Sequence, residues 1–173
     1  MTGEMNRDKV TAFWNAYRSK LPAERSAGLP ETPDAWGFGN SPQMADELGA
    51  LALAGIKTAT CGLLWEYEAE NEPLPKPGDL SIILNGAGEP LCLIETLEVQ
   101  VKPFQDVDAQ FAYDEGEGDR SLAYWRAAHQ HFFSLYCARL GRQPEMDMPL
   151  VCERFRVIYP LNVGKKQENL EAV

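Results

Sequence analysis

The chain has 173 residues, of which 45% are hydrophobic and 24% charged, and a net charge of −10. This is ordinary globular composition, long enough to bury one core without disulfides or a structural metal. An acidic balance disfavours the broad basic face that grips long nucleic acid, so no extended DNA binding is expected.

No run of about 18 apolar residues is present, so no membrane span is expected. Met1 to Arg7 lacks the apolar core of a secretion signal, so the expected location is the cytoplasm. Cys61, Cys92, Cys137 and Cys152 are scattered with no C-x-x-C pair. They read as reduced, mostly buried thiols rather than a zinc ribbon or redox motif.

In chain order, residues 8–20 place Val10, Phe13, Trp14 and Tyr17 at helical spacing, and Pro22 follows as a stop. Residues 26–42 are rich in Pro and Gly, with one Asp, but carry Trp36 and Phe38, which predicts a packed loop. Ser41 is the expected N-cap and Pro42 the first residue of a helix running to about Ala54, closed by Gly55. Pro77-Gly78-Asp79 is a turn signal. Strand-like runs follow at 80–84, 90–96 and 98–103, the first two joined by the hairpin loop Asn85-Gly86-Ala87-Gly88. Residues 111–117 are acidic, 121–140 form a strong helical pattern, and 150–159 a closing strand with Val151, Phe155 and Val157 on one face. The tail, residues 160–173, is polar and expected to fray. Helices before and between clustered strands predict an α+β fold in a single domain over residues 1–173.

Several strings then acquire a common meaning. Gly55-Ile56-Lys57-Thr58-Ala59-Thr60 resembles the G-x-K-x-x-T signature of ASCH-domain proteins. Phe111-Ala112, then Glu115-Gly116-Glu117-Gly118-Asp119-Arg120-Ser121-Leu122 and Tyr124-Trp125-Arg126, resemble the longer bacterial branch of that family. The ending Met148-Pro149-Leu150-Val151-Cys152-Glu153-Arg154-Phe155 is similar too, so the resemblance spans roughly Trp36 to Tyr159. It implies a PUA-like mixed β-barrel with helices packed around it, and a link to RNA. Small bacterial members are amidohydrolases that deacylate N4-acetylcytidine with a Lys, a Thr three residues on and a distant Glu. By motif position these fall on Lys57, Thr60 and Glu115. The longer branch is linked to RNA cleavage, for which Lys57 and Ser121 are the matching residues. The small amidohydrolases lack the 117–121 stretch, which leaves room for a different ligand here.

Amide hydrolysis needs a nucleophile, a base and a holder for the oxyanion. Thr60 would be the nucleophile, Lys57 the base, and Glu115 an orienter or proton relay. A basic Lys57 must be neutral. Its ordinary pKa lies near 10.4, so burial or a second cation, Arg120 or Arg126, must lower it towards neutrality. Lys57 and Thr60 share a face in a helical turn but not in a strand, so a turn-like segment is expected. Cleavage of single-stranded RNA would instead use Lys57, Arg120 and Arg126 on phosphate, with Ser121 as a donor at a helix N-terminus.

Each candidate also has a plain reading. Lys57 could be solvated, Thr60 bonded to backbone, Glu115, Glu117 and Asp119 an acidic loop, and Ser121 only an N-cap. Arg120 and Arg126 could simply pair with carboxylates. Trp36 and Trp125 serve either a core or base stacking. His129 and His131, two apart on a helix, point to different faces and do not make a metal pair. Glu66, Glu68, Glu70 and Glu72 read as a solvated face. The leading expectation is a hydrolase without metal or cofactor acting on RNA or an RNA-derived nucleoside. The alternatives are a ribonuclease and a non-catalytic RNA-binding module. Oligomeric state stays open.

Overall fold

The structure is a computed structural model that describes Met5–Pro160. Apart from Pro160, the tail expected to fray lies outside the described residues. The first helix, α1 (Arg7–Arg18), starts where the Asn6 side chain accepts the Lys9 amide at 3.1 Å, and buries Val10 and Trp14. A short helix, α2 (Ala23–Ala27), reaches into the start of the segment expected to be a packed loop, and that segment holds a short strand, β1 (Asp34–Trp36). Next comes α3 (Pro42–Leu53), with the Ser41 hydroxyl capping the Met44 amide and Pro42 at its first position, as expected.

A strand, β2 (Ala59–Leu63), then runs straight into α4 (Leu64–Glu70), a helix the sequence pattern did not predict. The hairpin of β3 (Leu80–Leu84) and β4 (Pro90–Pro103) follows. The two runs expected at 90–96 and 98–103 are one long strand, with Leu97 skipped in the pairing between Thr96 and Glu98. After a short 3-10 turn come α5 (Ala109–Glu115), α6 (Leu122–Arg139) and β5 (Pro149–Tyr159).

The strands form a curled five-stranded half-barrel in the order β1-β3-β4-β5-β2, antiparallel except where β1 pairs with β3. The fold is α+β and PUA-like, as expected. Three clusters pack against the sheet. α1 covers Ile82, Leu84 and Leu93; α3 covers Ile83, Cys92, Ile94 and Phe155; α5 and α6 cover β2 and the start of β5.

Alternation along the edge strand and its neighbour positions the site. Ala59, Cys61 and Leu63 of β2, with Leu150 and Cys152 of β5, turn towards α5 and α6. Thr60, Val151 and Glu153 therefore stand on the other face. Among the described residues no helix is long and apolar enough to cross a membrane.

The β3–β4 loop clamps onto the start of α3, because the Gly86 amide donates to Asp46 Oδ1 at 2.8 Å. A Cβ on Gly86 would lie 2.3 Å from the Pro42 carbonyl oxygen. Gly86→Ala should therefore lower stability by about 1–3 kcal/mol, read as an earlier midpoint in urea unfolding.

Candidate functional site

Three short devices bring Lys57 and Glu115 together. The chain leaves α3 through residues 55–58 without regular structure, and the Thr58 amide donates to the Asp114 carbonyl at 2.7 Å. Helix α5 ends at Gly116, whose φ of 76° lets the chain turn left-handed directly after Glu115. A Cβ there would meet the Ile56 carbonyl oxygen at 3.0 Å, so glycine permits the two segments to lie this close. The Thr58 carbonyl accepts the Phe155 amide at 2.9 Å, which ties the same segment to β5.

Lys57 is 1% exposed and Glu115 is 1% exposed. The Lys57 ammonium donates to Glu115 Oε2 at 2.5 Å and to Glu117 Oε1 at 3.1 Å, and lies 5.1 Å from the Phe38 ring centroid. The other oxygen of Glu115 is equally engaged. Oε1 accepts from Trp125 Nε1 at 3.2 Å and from the Cys61 thiol at 3.2 Å, and His129 Nε2 lies 3.4 Å away. His129 is itself fixed, stacked on Trp125 at 4.2 Å between centroids, with Nδ1 donating to the Trp125 carbonyl at 3.0 Å.

Charge follows from these contacts. Burial alone would pull the Lys57 ammonium down, but the Glu115 and Glu117 carboxylates outweigh it and hold the amine above its ordinary pKa. Burial would push Glu115 up, but Lys57 and His129 hold it well below the usual carboxylate range. Burial, Glu115 and Cys152 push the Cys61 thiol well up, so it stays protonated as a donor rather than a thiolate nucleophile.

Lys57, Thr60, Cys61, Glu115, Glu117 and His129 line a pocket of about 70 Å³, walled by Phe38, Leu48 and Phe132. That holds a few waters or a small acyl group; a cavity of about 150 Å³ is needed for a benzene-sized ring. Thr60, Cys61, Phe38, Gly39 and Phe132 also border a larger cleft of about 960 Å³. This cleft is lined by Trp36, Tyr67 and Tyr136 and by the carboxyl groups of Asp34, Glu66, Glu70, Glu72, Asp79 and Glu153, with Lys76 the single cationic side chain among the described residues that line it.

Two sequence expectations change. A Lys57 base needed a lowered pKa, supplied by burial or by Arg120 or Arg126. Arg120 instead stacks on Tyr113 at 3.5 Å and donates to the Tyr113 carbonyl, and Arg126 donates to the Gln105 carbonyl. Carboxylates, not cations, face the ammonium. The acidic set at 66–72 is likewise no simple solvated face: Glu66 is half-buried on α4, and burial with Glu70 pushes its carboxyl to about 7, against Arg139.

The other candidates divide. Lys57 and Thr60 share a pocket because Lys57 precedes β2 and Thr60 lies within it. Trp36 lines the cleft, packed edge-on against Phe38. Ser121 caps α6 by accepting the Tyr124 amide, and Ser121, Arg120 and Arg126 line neither cavity. Cys61 and His129 are additions. His129 was legible only as i+4 from Trp125 on one helix face.

Cys61, Glu115 and His129 offer donor atoms within 4.8 Å of one another, a set of metal-ligating type. A cation among them would sit against the Lys57 ammonium and compete for Glu115, so the three groups suit the lysine better than a metal.

Fold and site define a PUA-like α+β domain with a buried lysine–carboxylate centre at the edge of its sheet. The chain belongs to the ASCH domain family, whose model matches residues 34–159. An ASCH domain from Lactobacillus crispatus JV V101 is 36% identical, with a TM-score of 0.82 over 88% of this chain and 95% of that one. Protein EF3133 from Enterococcus faecalis V583 is 34% identical, with a TM-score of 0.78 over 96% of this chain and 99% of that one. No curated protein matches the sequence.

Lys57→Met leaves Glu115 buried without its cation and should cost about 3–5 kcal/mol. Because Glu115 is depressed in the fold, its contribution is present above the ordinary carboxylate range and lost as pH falls through it. The gap between variant and parent in urea unfolding should therefore narrow on acidification.

Proposed function

We propose that this protein is a hydrolase that uses side chains alone to deacylate an N4-acetylcytidine-like amide derived from RNA. The observation that carries the reading is the buried Lys57 ammonium, held between two carboxylates in a pocket of acyl size that Thr60 also lines. An ammonium has three N–H donors. Two go to Glu115 and Glu117, and the third meets only the Glu115 carbonyl oxygen at 3.5 Å, which leaves it for a substrate carbonyl.

In this reading Lys57 polarises the acyl oxygen and stabilises the tetrahedral oxyanion. Thr60 attacks the acyl carbon, and Glu115 orients the lysine. The charged state of Lys57 moves it from the expected base role to that of electrophile.

The adjoining cleft favours a nucleoside over a polynucleotide. Its volume lies within the usual range for small-molecule sites, and Trp36 offers an aromatic face for a base. Among the described residues Asp34, Glu70, Glu72 and Asp79, with Glu66 and Glu153 only partly charged near neutrality, surround one lysine and repel phosphate. Cleavage or tight binding of RNA gains no comparable support, since Ser121, Arg120 and Arg126 stand outside both cavities.

Incubating purified protein with N4-acetylcytidine and a chelator, and following cytidine and acetate by chromatography, tests the reading. Turnover should persist with chelator present. Lys57→Ala and Thr60→Ala should each lower kcat/KM by about 10²-fold or more. Absence of cytidine release from the unaltered chain refutes the assignment.

A further inference from the structure

Attack by Thr60 requires a group to take its proton. Lys57 is held as an ammonium, and the Glu115 and Glu117 carboxylates are both engaged by it. A further carboxyl group, that of Glu153, lies opposite Thr60 in the sheet. In the antiparallel β2–β5 ladder Thr60 is paired directly with Glu153. Directly opposed side chains share a face with Cβ atoms about 4.5–5.5 Å apart. Both residues line the cleft, and Thr60 also lines the acyl-sized pocket.

Glu153 is 7% exposed, yet it is in none of the ion pairs among the described residues. Four elements present groups to it. They are Thr60 from β2, Tyr67 from α4, Asp79 from the turn before β3, and Thr96 from β4. Burial pushes its carboxyl up, a hydrogen bond from Thr96 pulls it back, and Asp79 adds to the rise, leaving it at about 7. Tyr67 stays a neutral phenol, pushed up to about 12 by burial and by Glu153, Glu66, Glu72 and Cys61.

We propose that Glu153 is the general base for Thr60. The assignment rests on the deacylase reading for its substrate. As the Thr60 Oγ–acyl bond forms, the hydroxyl proton passes to the Glu153 carboxylate and the oxyanion sits on the Lys57 ammonium. Collapse breaks the acyl–N4 bond, and the proton returns from Glu153 to the leaving 4-amino group. Water then attacks the Thr60 ester, gives its proton to Glu153, and releases the carboxylic acid as that proton restores the Thr60 hydroxyl. A base near neutrality is the efficient choice for this transfer.

The test separates this chemistry from substrate identity by using p-nitrophenyl acetate, with mass spectrometry locating the acetyl group. The unaltered protein should release p-nitrophenolate at a rate that rises with pH and levels above about 7, and an acid quench in the first turnover should catch the acetyl ester on the Thr60 peptide. Glu153→Gln should slow this release about 100-fold or more and flatten the profile, while thermal unfolding stays cooperative. Thr96→Val removes the hydrogen bond that favours the carboxylate, so its inflection should move to higher pH with release retained. That variant decides the matter if Glu153→Gln does not fold.

p-Nitrophenolate release undiminished in Thr60→Ala, an unchanged rate in Glu153→Gln, or an unmoved inflection in Thr96→Val overturns the role of Glu153. Glu153-dependent release without turnover of N4-acetylcytidine supports Glu153 and refutes the nucleoside reading instead. Turnover undiminished in Glu153→Gln does the reverse.

Discussion

An ammonium group taken out of water sets the terms for one whole end of this molecule. Burying Lys57 costs several kcal/mol in lost hydration, which an ion pair offsets only with good geometry and with its remaining donors and acceptors satisfied. Glu115 and Glu117 supply the countercharge, and Trp125, Cys61 and His129 converge on the far oxygen of Glu115. These groups come from the segment after α3, the edge strand β2, the end of α5 and the body of α6. Four separate pieces of chain must therefore meet within hydrogen-bond reach, and much of the local architecture serves that meeting. Such a centre is a poor source of net stability compared with apolar packing.

The edge position of β2 gives the centre its access. A central strand is flanked on both sides, whereas an edge strand leaves room for its two faces to border connected space. Cys61 turns towards α5 and α6 and helps hold Glu115; Thr60 turns the other way, beside Glu153. The small pocket and the large cleft meet at Thr60 and Cys61, with Phe38, Gly39 and Phe132 beside them. The result is a division of charge along one path, with a cation at the closed end and carboxyl groups around the open one. That charge pattern favours a neutral ligand over a polyphosphate chain.

The sequence made some of this legible and hid other parts for identifiable reasons. Caps were readable because they are local: Ser41 and Ser121 accept amides three residues on, within one turn. The β3–β4 hairpin was readable from its Asn-Gly loop. The joining of 90–96 and 98–103 into one strand was not, since an irregularity at Leu97 looks like a break in alternation. β1 was hidden because three residues pairing with β3 carry no periodicity of their own. α4 was hidden because its glutamates look like solvent-facing charge until the cleft is known.

Residue types and spacing by themselves determined the α+β class and the main helices and strands, and the resemblance of the motifs to the ASCH family singled out Lys57, Thr60 and Glu115. Those properties depend on neighbours in the chain or on motif order. The tertiary structure alone decided the charge on Lys57, the exclusion of Ser121, Arg120 and Arg126 from the cavities, and the places of His129, Cys61 and Glu153. A pKa and a shared cavity depend on which groups meet after folding, across separations such as the 58 residues between Lys57 and Glu115. Linear order does not carry that information, because the sign of an electrostatic shift is set by distance in space and by burial.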